Sequence, residues 1–404
     1  MQRIAALTLA AGACLACGGD PVGQGEAPRL TLSPDSLVVG VAESSPLVAT
    51  VTNAGGAVQY VPLQYVSRDP KVATVSANGA ISAVAVGATY VVATLAERPE
   101  VRDSVRVRVH ADSCSGARPH FGGPATAEDR KLFAYDADAP LRLQQTVEST
   151  SGGVETSRVS FDSPDGGSVT GMVWAPVARP GPRPAIVLLH GLPGTARLLS
   201  ERGQGLAQAG AVVLAIDAPF SRRAGPALTF TPQDRFEQIQ VVKDLQRAVD
   251  VLRARTDVDP ARVAFVGFSW GGATGALFVG IERRLRTAAL VVGHGGQVSH
   301  ATGPDGFKHI AGLSCAQRVA WIRAMAPVEP IRYVGNANAP LLLQNGMQDE
   351  FIPRPDAAEL HAAAPDPKDV RWYATGHVLG QQALADFHRW MHEKIGLDLP
   401  AGPP

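Results

Sequence analysis

The pentapeptide Gly267-Phe268-Ser269-Trp270-Gly271 constrains the fold of this chain more than any other feature. It ends an apolar run at 263–268, which has the composition of a buried strand, and it precedes residues 273–281, which suit a helix. A sharp strand-to-helix turn forces the central serine into strained dihedrals and lifts its hydroxyl clear of the backbone, and flanking glycines leave room for that turn. The sequence therefore predicts Ser269 as a nucleophile.

The segments around this turn alternate between strand and helix patterns. Asp165-Gly166-Gly167 predicts a hairpin, and Thr231-Pro232 opens a segment with apolar residues at helical spacing. Continuous apolar runs are what a parallel sheet covered on both faces requires. These runs occupy residues 185–189, 211–216, 263–268, 288–292, 340–343 and 370–373. We therefore expect an α/β fold with a mostly parallel open sheet over residues 125–400.

A serine nucleophile needs donors for the negative charge of the tetrahedral intermediate. One backbone N–H normally comes from the residue after the nucleophile, here Trp270, and the second from a loop after an earlier strand. The run 185–189 leads into His190-Gly191-Leu192-Pro193-Gly194, so the N–H of Leu192 is the second candidate. The alternative reading of His190-Gly191 is a plain turn that ends a strand.

The general base should be a histidine that a carboxylate orients. In this kind of fold the chain order is serine, then acid, then histidine. Asp349 follows the predicted strand 340–343, and His377 follows the strand 370–373, so both lie where ligand sites of open α/β sheets collect. We predict a triad of Ser269, Asp349 and His377, with Glu350 and Asp356 as the alternative acids.

Aromatic residues near the predicted site are candidates for the substrate pocket. Residues 219–235 and 294–335 should form its walls, with His190, Phe220 and Trp321 as candidate linings alongside Trp270. The alternative is that these side chains only pack in the core. His294 and His300 follow a strand, and we expect them to face solvent; the alternative is that they line the pocket.

Together these residues resemble the α/β-hydrolase fold. The pattern comprises the loop 190–194, Asp217-Ala218-Pro219-Phe220, the turn at Ser269, Asp349 and Gly376-His377, and it is most similar to the branch of dienelactone hydrolases, acetyl xylan esterases and prolyl-oligopeptidase-like enzymes. Ser269 stands where dienelactone hydrolases proper carry cysteine, which favours ester or peptide acyl transfer. The resemblance implies a hydrolase without metal or cofactor, and the sequence holds no zinc-protease, phosphate-loop or nucleotide-binding motif.

The leading hypothesis is a serine carboxylic-ester hydrolase that acts on a small-molecule or polymer-borne ester. Two alternatives stay open: a serine peptidase of the prolyl-oligopeptidase type, and a surface adhesion protein with an inert hydrolase domain. The 37 basic and 37 acidic residues balance, so charge gives no reason to expect a nucleic-acid partner.

The N-terminus has the pattern of an export signal. Residues 1–17 combine one arginine with a short apolar run, which predicts a signal peptide. Leu15-Ala16-Cys17-Gly18 resembles a bacterial lipobox, which implies lipidation of Cys17 and attachment to a membrane through the lipid; an unmodified secretion signal is the alternative. Residues 18–28 should form a tether, and we expect a periplasmic or cell-surface location.

Between the tether and the hydrolase domain the sequence predicts β-strands and no helix. Residues 29–110 alternate β-branched runs with turns, and Asn78-Gly79 predicts a hairpin, so we expect a small all-β sandwich. The stretch 67–79 resembles bacterial immunoglobulin-like group 2 modules, which implies a spacer or a module that contacts cell-surface material. Residues 111–124 form the linker. Cys114 and Cys315 are the cysteines left after the signal, and they form a possible disulfide.

Overall fold

The computed structural model describes residues 28–41, 44–53, 55–59, 61–110, 121, 123–177, 181–302, 310 and 313–398. The predicted signal peptide, Cys17, Cys114 and most of the tether lie outside these residues. Cys315 begins a described helix, but its side chain lies outside the description, so the disulfide stays a prediction.

The N-terminal module consists of short strands, with no helix among its described residues 28–41, 44–53, 55–59 and 61–110. They form one four-stranded sheet of order β2-β10-β9-β6 and two three-stranded sheets, β1-β4-β5 and β3-β8-β7. The strands are β1 (Arg29–Ser33), β2 (Ser36–Gly40), β3 (Ser44–Pro46), β4 (Val48–Thr52), β5 (Val58–Gln59), β6 (Leu63–Ser67), β7 (Ala73–Val75), β8 (Ala80–Ala83), β9 (Gly87–Leu95) and β10 (Arg98–His110). The Asn78-Gly79 hairpin is confirmed, because β7 and β8 pair antiparallel.

The described part of the catalytic domain contains a nine-stranded sheet of order β11-β12-β13-β15-β14-β16-β17-β18-β19. From β15 to β19 all pairs are parallel, whereas β11, β12, β13 and β15 pair antiparallel. The strands are β11 (Gln144–Ser151), β12 (Val154–Asp162), β13 (Ser168–Pro176), β14 (Arg183–Leu189), β15 (Val212–Ile216), β16 (Val258–Phe268), β17 (Thr287–Val291), β18 (Leu341–Gly346) and β19 (Lys368–Tyr373).

Helices connect the parallel strands. They are α1 (Ala127–Lys131), α2 (Ser200–Gln208), α3 (Pro232–Arg253), α4 (Trp270–Ile281), α5 (Gln297–Thr302), α6 (Cys315–Met325), α7 (Ile331–Val334), α8 (Arg354–Ala363) and α9 (Gln381–Ile395). The predicted start of α3 is confirmed: Pro232 occupies its first turn, and the Thr231 hydroxyl caps the helix by accepting from the N–H of Gln233. None of the helices in the described ranges is both long and apolar enough to cross a bilayer.

Both faces of the large sheet are buried. On β14 the side chains of Val187 and Leu189 belong to one hydrophobic cluster, while Ile186 and Leu188 belong to another on the opposite face. All of these side chains are 0% exposed, which explains why the strand reads as a continuous apolar run. The predicted mostly parallel, doubly covered sheet is confirmed, and the carboxyl ends of β14, β16, β18 and β19 meet at one edge.

Two elements differ from the sequence prediction. Every residue of β11 is exposed, so the strand carries no apolar pattern that could reveal it. β16 begins at Val258, five residues before its apolar run, because Arg183 of β14 pairs with Val258 across a register shift. Both differences lie at polar ends or edges of the sheet, away from its buried centre.

Candidate active site

Ser269 occupies a strained turn between β16 and α4. Its φ of +56° and ψ of −119° lie in a region that non-glycine residues rarely adopt. The Ser269 N–H donates to the carbonyl of Val291 at 2.9 Å, and the Ser269 carbonyl accepts from Gly272 and Ala273 at the start of α4. The neighbouring strand and the helix therefore hold the serine in the conformation that the sequence predicted.

The two glycines of the motif are required by space. A Cβ on Gly267 would lie 2.1 Å from the carbonyl oxygen of Gly271, and one on Gly271 would lie 2.5 Å from that of Leu189. Backbone atoms at these distances cannot move aside without opening the turn. The predicted reason for both glycines is confirmed.

The loop after β14 contacts the nucleophile directly. A Cβ on Gly191 would lie 2.9 Å from the Ser269 Cβ and 3.5 Å from its Oγ, so the Gly191 backbone passes beside the hydroxyl. Leu192, the predicted donor, is the next residue along this loop. The position is suited to an oxyanion hole formed with the N–H of Trp270, the first residue of α4.

His190 holds this loop and is itself buried, with 1% of its surface exposed. Its Nε2 accepts from the N–H of Ala218 at 3.1 Å, so Nδ1 carries the proton and donates to the carbonyl of Gly191 at 2.9 Å. Burial lowers the pKa of His190, which favours this neutral tautomer. The imidazole fixes the backbone beside Ser269.

Asp349 and His377 form a close pair at the neighbouring strand ends. The His377 Nδ1 lies 3.0 and 2.9 Å from the two carboxylate oxygens of Asp349, whose side chain is 1% exposed. Because a carboxylate only accepts, Nδ1 carries the proton, and the Nε2 lone pair is left as the basic site. The structure thus brings together the acid and the histidine that the sequence predicted.

The electrostatics of Asp349 favour its charged form. Burial raises the pKa of its carboxyl, but hydrogen bonds from His377 and from the backbone N–H groups of Phe351 and Ile352 outweigh it, so the pKa lies below its usual value. Glu350 instead accepts from the backbone N–H of His377 at 3.1 Å, and Asp356 pairs with His300. Among the described residues, neither alternative acid forms a hydrogen bond or ion pair with the His377 imidazole.

The loops that carry the acid and the histidine are tied to each other. Met347 N–H donates to the carbonyl of Tyr373 at 2.7 Å, and Gln348 N–H donates to that of Thr375 at 3.0 Å. In the part of the chain that the structure describes, no hydrogen bond joins Ser269 Oγ to His377 Nε2. Such bonds are often long without substrate and shorten when it binds.

Three comparisons place the chain among known proteins. A model of the dienelactone hydrolase family matches residues 169–379, just over half of the 404 residues. The chain belongs to the dienelactone hydrolase family. A second family model, the bacterial Ig-like domain of group 2, matches residues 26–105. Both resemblances drawn from the sequence are confirmed.

Individual relatives of this dienelactone hydrolase family member are distant. The uncharacterized protein YfhR of Escherichia coli is 30% identical over 151 residues, which cover 37% of this chain and 49% of YfhR, so the chain spans about half of that relative's length. An uncharacterized protein of Mycobacterium tuberculosis is 27% identical over 247 residues, covering 60% of this chain and 77% of the relative.

Solved structures share the fold. An acetyl xylan esterase from a Paenibacillus species matches with a TM-score of 0.54 and 22% identity, covering 66% of this chain and 92% of the esterase. Acetyl xylan esterase 1 from a Thermoanaerobacterium species matches with a TM-score of 0.55 and 14% identity, covering 67% and 95% respectively. These similarities show that the catalytic domain has an α/β-hydrolase fold.

A small pocket of the catalytic domain is lined in part by Trp270. Phe220 packs edge-on against Trp270 with ring centroids 5.0 Å apart, and the two rings form part of the wall. The remaining lining residues are Pro219, Ala227, Leu228, Asp234, Glu237, Gln238, Gln297 and Met325. The structure thus places Phe220 in a pocket wall next to the residue that follows the nucleophile, although Ser269, Asp349 and His377 do not line this pocket.

The other two predicted lining residues, His190 and Trp321, do not line this pocket. His190 uses both ring nitrogens within the protein, as described above. Trp321 is 0% exposed, and its indole N–H donates to Asp234 at 2.8 Å while its ring packs edge-on against Phe230. The structure therefore gives His190 and Trp321 the packing role that was the alternative at the sequence level.

The expectation that His294 faces solvent is wrong. Its side chain is buried, Nδ1 lies 2.9 Å from the carbonyl of Gly296, and the ring stacks on His300 with centroids 4.5 Å apart. Burial holds the pKa of His294 well below its usual value, so the ring is neutral. The segment after β17 is buried, and local sequence gave no sign of this because its glycines predict an exposed loop. Among the described residues no group of three or more potential ligands is arranged to hold a metal ion.

Proposed function

We propose that this chain is a serine carboxylic-ester hydrolase with Ser269 as nucleophile, His377 as general base and Asp349 as the orienting acid. The observation that carries the proposal is the pairing of His377 Nδ1 with the Asp349 carboxylate at 2.9 Å, at the same sheet edge as the strained Ser269. Membership in a family of hydrolases supports it.

The chemistry follows from these positions. Ser269 Oγ attacks the carbonyl carbon of the ester while its proton moves to His377 Nε2, and the carbonyl π electrons move onto oxygen. The tetrahedral intermediate then expels the alcohol, which takes the proton from Nε2 and leaves an acyl-enzyme. Water enters, loses a proton to Nε2 and attacks the acyl carbon. As the second intermediate collapses, the bond between the acyl carbon and Ser269 Oγ breaks and the proton on Nε2 passes to Oγ, which releases the acid and restores the serine hydroxyl.

The backbone N–H groups of Leu192 and Trp270 are the proposed donors to the developing oxyanion. The close approach of Gly191 to Ser269 supports this, because it sets the loop beside the reacting hydroxyl. Each such donor contributes about 3–4 kcal/mol of transition-state stabilisation in serine hydrolases. The Asp349 carboxylate, kept charged by its hydrogen bonds, stabilises the imidazolium that forms beside it.

The substrate class is an ester, either a small molecule or borne on a polymer. The two matched structures are acetyl xylan esterases, which supports acetate or another short acyl group as the acid part of the substrate. No cofactor is needed for the proposed steps. A serine peptidase is the alternative, and a comparison of ester and amide substrates distinguishes the two activities.

Export and anchoring form the second part of the proposal. The predicted signal at residues 1–17 would deliver the protein out of the cytoplasm, and a lipid on Cys17 would hold it at a membrane, with residues 18–28 as tether. The match to a bacterial Ig-like domain supports a surface location and a module that contacts cell-surface material.

Metabolic labelling with a fatty acid, compared between the full chain and Cys17→Ser, tests the lipid anchor. Equal labelling of both proteins would contradict it.

The catalytic proposal is tested with soluble substrates. Hydrolysis of p-nitrophenyl acetate and of a prolyl p-nitroanilide peptide would be measured for the wild type, Ser269→Ala and Asp349→Asn. We expect ester turnover, with kcat reduced about 10³-fold or more by each substitution. Ester turnover that survives Ser269→Ala would contradict the mechanism, and amide turnover without ester turnover would establish a peptidase instead.

A further inference from the structure

Three large apolar side chains stand out by their exposure in the described part of the catalytic domain. Val378 is 84% exposed, Leu198 72% and Phe351 62%, whereas the next, Val147, is 53% exposed. Single exposed apolar residues are ordinary on protein surfaces. These three, however, all lie on segments that carry the site. Val378 follows His377, Leu198 comes after the loop 190–194, and Phe351 lies two residues past Asp349.

Two exposed apolar residues lie beside His377, Phe351 in space and Val378 in sequence. The Phe351 ring meets the His377 ring edge-on, with centroids 5.1 Å apart and planes at 73°. Its backbone N–H donates to Asp349 Oδ1 at 2.9 Å, so the position of the phenyl group is coupled to that of the acid. Val378 follows His377 directly in the chain. The exposed Phe351 ring thus borders the imidazole, and the exposed Val378 is the residue that follows it in the chain.

The chemistry indicates which part of the substrate meets them. The carbonyl oxygen of the ester faces the donors at Leu192 and Trp270, while His377 Nε2 returns its proton to the oxygen of the departing alcohol. The carbon chain of that alcohol must therefore lie on the imidazole side of the site. Of the exposed apolar residues named above, Phe351 contacts this imidazole and Val378 adjoins it in the chain.

We propose that Phe351 and Val378 form a subsite for the alcohol portion of the substrate and select esters of apolar alcohols. This inference rests on the proposed ester hydrolase function and deepens it. Covering the two side chains with an alkyl or aryl group removes apolar surface from water, which favours such alcohols over polar ones of the same size.

The Asp349 carboxylate offers little to a hydroxyl-rich alcohol. Asp349 already accepts hydrogen bonds from His377, Phe351 and Ile352, and one oxygen of Glu350 accepts from the His377 backbone. Recognition of a sugar alcohol needs side chains whose hydrogen bonds are still unmade. This arrangement favours an apolar alcohol over the sugar alcohol of an acetylated polysaccharide.

The test compares two acetates whose alcohols have equal numbers of non-hydrogen atoms. For butyl acetate and methoxyethyl acetate, kcat/KM would be measured in the wild type, Phe351→Ser, Val378→Ser and the double variant. We expect the ratio of the two values to fall about tenfold in the double variant, because two methylene-sized contacts are lost. Phe351→Leu, which stays apolar, should keep most of the wild-type ratio.

Matched controls separate this effect from general surface changes. Phe236 on α3 and Val147 on β11 are exposed apolar residues without a ring contact to His377, and Phe236→Ser and Val147→Ser should leave the ratio unchanged. A ratio that stays constant in the double variant, or a wild type that prefers an acetylated methyl xyloside to butyl acetate, would overturn the inference. Ester turnover would remain, so the proposed function would stand.

A binding measurement needs no turnover. Saturation-transfer NMR would follow phenethyl alcohol with Ser269→Ala and with Ser269→Ala carrying Phe351→Ser and Val378→Ser. We expect saturation transfer in the first protein and its loss in the second. Equal transfer in both would overturn the subsite even if the wild type hydrolysed no ester, whereas absence of ester turnover alone would refute only the catalytic proposal.

Discussion

Ser269 is held in a strained backbone conformation at the end of β16. Holding the backbone of a non-glycine residue at φ +56° and ψ −119° costs on the order of 1–3 kcal/mol. The surrounding structure offsets this cost through the hydrogen bond from Ser269 N–H to Val291 and through the start of α4. The strain places the hydroxyl at the sheet edge, within reach of the loop that carries Gly191.

At the residue scale, Gly191 is a position where a single added methyl group would meet the nucleophile itself. Gly191→Ala would put a Cβ 2.9 Å from the Ser269 Cβ and push the loop 190–194 away from the oxyanion position. We expect kcat for p-nitrophenyl acetate to fall about 100-fold, comparable to loss of one oxyanion donor. Steady-state kinetics with circular dichroism to confirm folding would measure it.

The matched control is Gly205→Ala. A Cβ on Gly205 meets nothing within 4 Å, and the residue lies inside α2, where alanine is favoured over glycine. Stability should rise by about 0.5–1 kcal/mol with activity unchanged. An active Gly191→Ala enzyme would show that this loop does not bind the oxyanion as described.

Much of the site could be predicted from single residues. Local sequence was enough to predict Ser269, Asp349 and His377, because each follows an apolar strand and each belongs to a recognisable turn. His190 and Trp321 could not be placed, since whether a ring lines a pocket or packs behind it depends on burial that distant segments create. The exposure of Phe351 and Val378 is likewise visible only when the folded surface is known.

At the scale of elements, the segment from β17 to α5 is the part that sequence described least well. Val292 adopts φ +46°, and the Asn345 side chain donates to the carbonyl of Gly293 at 3.0 Å, which folds the segment inward. Glu329 accepts from the backbone N–H of Val298 at 2.9 Å while only 1% exposed. Contacts with residues far along the chain therefore determine this segment, and local patterns could not reveal them.

Glu329 makes the stability of this segment depend on pH. Burial raises the pKa of its carboxyl to about 8, above its unfolded value, so the neutral form is favoured in the folded protein. The associated stability is present at low pH and is lost as pH rises through the folded pKa. We expect the free energy of unfolding to fall by about 3 kcal/mol between about pH 5 and about pH 8.

Urea unfolding across this range would measure the effect in the wild type and in Glu329→Gln. The glutamine can keep the hydrogen bond from Val298 and cannot ionise, so its stability should vary less with pH. The exposed Glu128, paired with Lys131 on α1, provides the control: Glu128→Gln should retain the wild-type slope. Parallel pH profiles for wild type and Glu329→Gln would contradict this account.

At the scale of the whole molecule, the two modules have separate cores. The buried cluster of the N-terminal module draws on residues 30–109, and the two clusters of the catalytic domain draw on residues 125–397. No buried residue of these clusters is shared. Each module thus meets the usual condition for folding alone.

Removal of the N-terminal module should leave the chemistry intact. We expect a fragment of residues 121–404 to hydrolyse p-nitrophenyl acetate with kcat/KM within about twofold of the full chain, because every proposed catalytic group lies in the second module. A loss of about tenfold or more in a folded fragment would show that the Ig-like module contributes to the site.

The most direct test of the central claim is the site of covalent modification. Wild type and Ser269→Ala would be treated with diethyl p-nitrophenyl phosphate, an acylation mimic, and analysed by intact mass and peptide mapping. The account predicts one diethylphosphoryl group on Ser269 in the wild type, loss of ester hydrolysis in proportion to labelling, and no label in Ser269→Ala. Labelling of another residue, or full hydrolysis by the labelled protein, would contradict it.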